Sequence, residues 1–303
     1  MIAKGAVAAG HAQTAEAAAL LLEAGGNAFD AALGALCMAC VAEPVLTSLG
    51  GGGFLTARTS SGETRVYDFF VQTPRHRRPI DQVELYPVLA DFGTAQQEFH
   101  IGLGALATPG TVRGLFDIHR DLGTLPMRRI VEPAVAAARE GVRLNRLQAY
   151  IFSIVAPIYL ATPEARALYA SPLDPQRLYG EGEPMRQPEL ADTLELLAIE
   201  GDRLFYEGEM GQSLVALCEH QGGQVRAPDL GGYRTVIRQP LRRDYRDARL
   251  LLNPPPSSGG LLIAFALALL EQEDLGGGPF GGTGHLITLA RAMEQTGLAR
   301  DTG

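Results

Sequence analysis

A mixed α/β (α+β) fold is what this sequence predicts, on two observations. Ala- and Leu-rich runs long enough for helices, such as residues 14–24 and 28–41, alternate with short runs rich in Val, Thr, Tyr and Phe bounded by Gly, Ser and Pro turns. Some short runs follow one another across a tight turn and others are separated by helices. Hairpins beside crossovers disfavour a doubly wound parallel sheet.

The elements follow in order. Helices 14–24 and 28–41 are separated by Gly25, Gly26 and Asn27, where glycine accepts the positive φ that ends a helix. Both carry Ala or Leu on nearly every face, which predicts burial between layers. Glu43 and Pro44 end the second. After Gly50, Gly51, Gly52 and Gly53 come strands 54–59 and 64–70, joined by a turn at 60–63. A third strand, 102–108, leads through Pro109 and Gly110 into a helix at 111–120. Further helices are expected at 127–139, 187–200, 209–221 and 260–270, with strands at 233–237 and 248–252. Residues 276–284 have the composition of a flexible loop. With 303 residues and no repeat, the expectation is a single domain, 1–303.

Composition excludes several classes. The chain is 46% hydrophobic and 20% charged, which is globular rather than disordered. A net charge of -8 argues against sequence-independent nucleic-acid binding. The cluster Arg75, His76, Arg77 and Arg78 is the local exception, and so short a cluster reads better as a solvated loop than as a phosphate site. Cys37, Cys40 and Cys218 make no disulfide framework; Cys37 and Cys40 form a C-x-x-C inside an apolar helix and read as buried core. No run approaches the roughly 18 apolar residues of a membrane span, and residues 1–10 lack a secretory core. A soluble, cytoplasmic protein without cofactor or metal is expected, or a secreted one if a signal was removed.

The residues alone offer no complete catalytic constellation. The glycine run 50–53 follows a helix and precedes a strand, the reverse of a dinucleotide fingerprint, and it lacks the lysine of a P-loop. Close packing of a strand start against helices is the favoured reading, although such a turn can also line a pocket. No serine sits in a Gly-x-Ser-x-Gly elbow; Ser257 and Ser258 read as caps of the helix that follows. Six histidines are scattered singly. Glu181 with Glu183, and Glu207 with Glu209, suit turn and helix-start positions.

The order of several segments nevertheless resembles the γ-glutamyltransferase family. Gly25-Gly-Asn-Ala-Phe-Asp-Ala-Ala32, Glu43-Pro44 and Gly50-Gly-Gly-Gly-Phe54 come first. Ala107-Thr-Pro-Gly-Thr111, Glu132-Pro-Ala134, Gln187-Pro-Glu-Leu-Ala191, Phe205-Tyr-Glu-Gly208 and Asp229-Leu230 with Tyr233 follow, and Pro254-Pro-Pro-Ser-Ser-Gly-Gly260 is the most specific piece. The resemblance implies a four-layer αββα sandwich of the N-terminal-nucleophile hydrolases, completed by a small subunit cut from the same precursor. The nucleophile would be a threonine opening that partner subunit and so would lie outside this chain. Its hydroxyl attacks the substrate carbonyl, its own α-amine serves as base, and water or an amine resolves the acyl-enzyme. Backbone donors, mainly from the small subunit, stabilise the oxyanion. Gly303 would stand on the acyl side of the self-cleavage bond, with a threonine immediately or soon after it.

One departure from the family pattern matters. Where members carry Asp-Phe-Arg-Glu-x-Ala-Pro, with the arginine gripping the substrate α-carboxylate, this chain has Asp68-Phe-Phe-Val-Gln-Thr-Pro74. Phe70 replaces the arginine and Val71 the acid, which makes these two the candidate substrate-binding residues. A phenyl ring offers no bidentate donor, so uncharged or hydrophobic acyl groups are expected to be favoured. Arg75, Arg77 or Arg78 are the cations that could compensate. The expectation is a γ-glutamyltransferase-like amidohydrolase or acyltransferase of altered specificity. An ordinary glutathione hydrolase and a non-catalytic paralogue used for binding or assembly are the alternatives.

Overall fold

The computed structural model describes residues 5–273, 275 and 278–302. Helices α1 (Ala12–Glu23) and α2 (Ala28–Ala42) precede the hairpin β1 (Phe54–Arg58) and β2 (Thr64–Asp68) and a second hairpin, β3 (Tyr86–Asp91) and β4 (Gln96–Ile101). Helices α3 (Thr111–Leu122), α4 (Met127–Glu140), α5 (Arg146–Tyr159) and α6 (Pro163–Tyr169) follow, interspersed with short strands β5 (Val142–Arg143), β6 (Ala170–Ser171), β7 (Asp174–Leu178) and β8 (Pro184–Met185). Then come α7 (Pro188–Glu200), α8 (Arg203–Tyr206), α9 (Glu209–His220) and α10 (Ala227–Gly232). Strands β9 (Val236–Arg238), β10 (Leu241–Tyr245) and β11 (Ala248–Leu252) lead to α11 (Ser258–Glu271) and α12 (Thr283–Thr302).

The described residues fall into two compact units, one drawn from Met1–Gly53 with Phe69–Thr235 and the other from Phe54–Asp68 with Val236–Gly303. In the first, α1 packs on α2, α2 on α3 and α4, and α4 on α7. The core is built from Leu33, Cys37, Met38 and Val41 of α2, Ile130, Ala134 and Ala138 of α4, and Leu194 and Leu197 of α7. Helix α2 is buried as its composition predicts, but α1 is not enclosed. Thr14, Ala17, Ala18 and Leu21 form one buried stripe, and Leu20 is exposed. Alanine on every face does not distinguish a surface helix from an interior one, because a methyl tolerates water.

Asp30 explains much of the segment 25–32. Asn27 caps α2 by accepting from the Phe29 and Asp30 amides, and Asp30 accepts in return from the Asn27 amide at 2.8 Å. Asp30 also accepts from the Thr124 and Leu125 amides at 2.9 and 3.2 Å and from the Thr124 hydroxyl. One carboxylate thus ties the start of α2 to the turn between α3 and α4. Burial alone would push this carboxyl up, yet the bonds from Thr124, Asn27 and Leu125 together hold it below the usual range.

Three sequence expectations are corrected. Residues 102–108 form no strand: the strand lies earlier, in β4, and a 3-10 turn at Leu103–Ala105 follows Gly102, whose φ is 109°. Residues 233–237 begin as the cap of α10 at Tyr233, and pairing starts only at Val236. Ser257 is the N-cap of α11, but its side chain makes no capping hydrogen bond. Hairpin β3–β4 and helices α5 and α6 were not anticipated; β3 is an apolar run without alternation, β4 is largely polar, and the hairpin's faces are largely exposed.

In the second unit, β1, β2 and β9 form an antiparallel sheet in that order, and β10 pairs with β11. Asp68 meets Arg238 at 2.7 Å across β2 and β9. Helices α11 and α12 pack on each other. Leu261, Ile263 and Phe265 of α11 stay exposed, as do Leu286, Ile287, Met293 and Leu298 of α12. The loop expectation at 276–284 and the cleavage-site expectation at Gly303 fall wholly or partly outside the described residues. Among the described residues no helix is long and apolar enough to cross a membrane.

Candidate functional site around residues 69–74

Residues 69–72 run as an extended segment whose backbone is pinned from two sides. The Phe69 amide donates to the Gly53 carbonyl at 3.0 Å and the Gly53 amide returns a bond at 3.3 Å. Gln72 exchanges bonds with Thr108 at 3.1 and 2.7 Å, an isolated antiparallel bridge. The glycine run fits closely against this segment. A Cβ on Gly52 would sit 2.6 Å from the Val71 nitrogen and 2.7 Å from the Phe69 oxygen. The Gly51 carbonyl accepts from the Gly110 and Thr111 amides at 2.8 and 3.0 Å, occupying free donors at the start of α3. The glycines do allow close packing, but Gly52 and Gly53 pack against residues 69–71 rather than against helices as expected.

The Phe69 ring is buried against Gly114 of α3, where an added Cβ would overlap it, and against Gly53. Gly110 leaves similarly little room: its Cβ would overlap both the Phe69 carbonyl oxygen and the Tyr233 hydroxyl. Next along the chain, Phe70 is 53% exposed. Its carbonyl accepts a 2.7 Å bond from the Tyr233 hydroxyl.

Tyr233 is in turn supported by an aromatic and ionic cluster. Its ring stacks on Tyr206 with centroids 5.8 Å apart. Tyr206 donates to the Pro109 carbonyl at 2.9 Å and accepts from the Arg113 amide at 3.1 Å. Burial pushes the Tyr206 phenol upward, so it remains a donor. The Arg113 guanidinium lies 4.4 Å from the Tyr206 ring centroid and pairs with Asp202.

The neighbouring cations are arranged differently. Asp229 accepts from the Arg75 and Arg226 amides, both at 2.9 Å, which anchors the backbone at Arg75. Arg78 donates from its guanidinium to the Glu219 carbonyl at 2.9 Å, in the last turn of α9. With Arg77, Pro79, Ile80, Val83, Leu85 and Gln224 it lines a cavity of about 510 Å³. Arg78 is therefore committed to a helix end.

The structure brings Phe70 and Val71 together with residues that sequence reasoning did not single out as functional: Gly110, Arg113, Gly114, Tyr206 and Tyr233. The signals were present in the segments around Pro109, Tyr206 and Tyr233, but only folding shows that they converge. The remaining candidates have structural surroundings. Cys37, Cys40 and Cys218 are free and buried. Glu183 accepts from Ser171 and Arg177, Glu207 pairs with Arg203, and Glu209 lies in the first turn of α9.

A family model described as Gamma-glutamyltranspeptidase matches residues 14–302. The Acylase ACY 1 proenzyme of Pseudomonas sp. (strain V22) is 32% identical over 305 residues, covering 96% of this chain and 52% of its own. The Glutathione hydrolase proenzyme of Escherichia coli (strain K12) is 31% identical over 277 residues, covering 90% of this chain and 46% of its own. The chain thus spans about half the length of the curated relatives it matches. Among solved structures, Helicobacter pylori gamma-glutamyltranspeptidase superposes with a TM-score of 0.86 at 25% identity, covering 100% of this chain and 84% of that one. Motif order, fold and family match agree: this chain belongs to the gamma-glutamyltranspeptidase family, with the mixed α/β fold of that family's solved structures.

Proposed function

We infer that residues 1–303 are the single-domain large subunit of a self-cleaved amidohydrolase or acyltransferase whose acyl specificity has moved away from free γ-glutamyl compounds. The observation that carries this reading is Phe70: half exposed, on a segment pinned by Gly53, Thr108 and Tyr233, it presents an apolar ring where the family pattern has a guanidinium. An apolar group there favours neutral acyl chains, because a carboxylate set against it would lose water without gaining a charged donor. Val71 beside it extends the same apolar character. The similarity to an acylase proenzyme supports the direction of the change.

The nucleophile is supplied by a small subunit beginning with threonine, from the same precursor. The exposed apolar side chains of α11 and α12 support a protein partner, since soluble monomers rarely leave so many on neighbouring helices. The similarity to a glutathione hydrolase proenzyme favours a second reading, an ordinary glutathione hydrolase.

Expression of the complete precursor tests both. Two chains should copurify, the smaller with an N-terminal threonine, and neutral acyl anilides should be cleaved in preference to a γ-glutamyl anilide. Phe70→Arg should shift kcat/KM toward the γ-glutamyl substrate by about tenfold or more, the worth of a charge-assisted hydrogen bond. A strong γ-glutamyl preference that Phe70→Arg leaves unimproved favours the glutathione hydrolase. A single uncleaved chain without activity points to a non-catalytic paralogue.

A further inference from the structure

We propose that Tyr233 is a positioning residue for acyl selectivity, its hydroxyl holding the Phe70 carbonyl and so aiming side chain 70. The inference rests on the reading that Phe70 lines the acyl pocket. With Phe70 53% exposed, burial alone does not orient its ring, and the path of its backbone bears on where the ring stands. Phe69 on one side is paired with Gly53, and Gln72 on the other with Thr108. Between them, the peptide joining residues 70 and 71 is gripped by the 2.7 Å bond from Tyr233. Because a peptide unit is planar, holding its oxygen restrains ψ at residue 70 and with it the path of the chain on which both side chains stand.

The hydroxyl is itself held in place. Tyr233 is 1% exposed and stacked on Tyr206, and the Arg113 guanidinium lies against Tyr206. The residue follows directly on α10, whose N-terminal end is fastened by Asp229. Gly110 packs against the hydroxyl so closely that no side chain fits there. A rigid donor serves selectivity better than a mobile one, because the aim of residue 70 then needs no ordering when substrate binds.

The test compares Tyr233→Phe, which keeps the ring and deletes the hydroxyl, in the complete self-cleaved protein. Tyr159→Phe is the control: it deletes another hydroxyl bonded to a backbone carbonyl, that of Pro44 at 3.3 Å. Each is assayed with a neutral acyl anilide and a γ-glutamyl anilide, alongside Phe70→Arg, with melting curves and the two-chain pattern recorded. Tyr233→Phe should lower the neutral-to-γ-glutamyl ratio of kcat/KM by about fivefold, mainly through a raised KM for the neutral substrate, while Tyr159→Phe leaves the ratio unchanged. If Phe70→Arg shifts the ratio and Tyr233→Phe does not, the positioning role is overturned and the pocket reading stands. If Phe70→Arg leaves the ratio unmoved, both fall. An equal shift in Tyr159→Phe, or failure of the Tyr233→Phe precursor to fold and split, makes the hydroxyl a general structural element and also overturns the proposal.

Discussion

Gly114 on α3 lies directly against the buried ring of Phe69, so the space that a Cβ would need is already filled by the residue preceding the candidate specificity position. Glycine within a helix ordinarily costs about 0.5–1 kcal/mol relative to alanine. Here that relation should reverse. Gly114→Ala should lower stability by about 1–3 kcal/mol, as for overpacked cores, visible as a reduced thermal midpoint. Gly231→Ala, whose added Cβ meets nothing within 4 Å, should stay within about 0.5 kcal/mol of the parent. Equal effects at the two positions would remove the packing argument.

Asp30 should dominate the acid sensitivity of the helical unit. Its carboxyl is held below the ordinary value of 3.8 in the fold, so its stabilisation is fully present above that value and is lost as pH falls through the depressed one. Asp30→Asn should cost about 2–3 kcal/mol at neutral pH, since an amide cannot accept from the same set of donors. It should also flatten the pH dependence of stability below pH ~4. Denaturant titrations across that range would show either the flattening or its absence.

Arg113 and Asp202 form an ion pair in which the side chains are only 12% and 11% exposed. Removing one member leaves the other charge shielded from water, so Asp202→Asn should cost about 3 kcal/mol in urea unfolding. Replacing both, as Arg113→Met with Asp202→Leu, should recover much of that loss. Additive losses in the double variant would contradict this account. Arg113→Lys should not rescue, because an ammonium lacks the planar guanidinium that covers Tyr206.

The cysteines should be chemically silent in the fold. Burial pushes the Cys37 thiol up to about 12, and Cys40 and Cys218 upward as well. An aromatic disulfide reagent at pH 8 should titrate none of them quickly in the native protein and all of them in denaturant. Rapid modification of either Cys37 or Cys40 would contradict the buried-core reading of the C-x-x-C.

Helices α2, α4, α7 and α11 and the β1–β2 hairpin were legible because their signals are local: side-chain periodicity, a capping box, a Ser-Gly turn. Hairpin β3–β4 was not, because β3 contains a proline and no apolar–polar alternation, β4 is largely polar, and little of either is buried. The strand expected at 102–108 failed at Gly102, whose φ is 109° and where an added Cβ would lie 2.5 Å from the Glu84 carbonyl oxygen. Such an approach between residues distant in sequence leaves no periodic trace.

The candidate site divides along the same line. The sequence by itself determined the family, through the order of its segments, and it raised the expectation of altered specificity at Phe70, because the identity of a side chain needs no coordinates. Only the tertiary structure decided what holds that position. The Gly52 turn, the start of α3 with Gly110 and Gly114, and the Tyr233 hydroxyl come from three separate stretches of chain, and their roles are steric and directional. A missing Cβ or a 2.7 Å hydrogen bond acquires meaning only when the backbone it faces is in place.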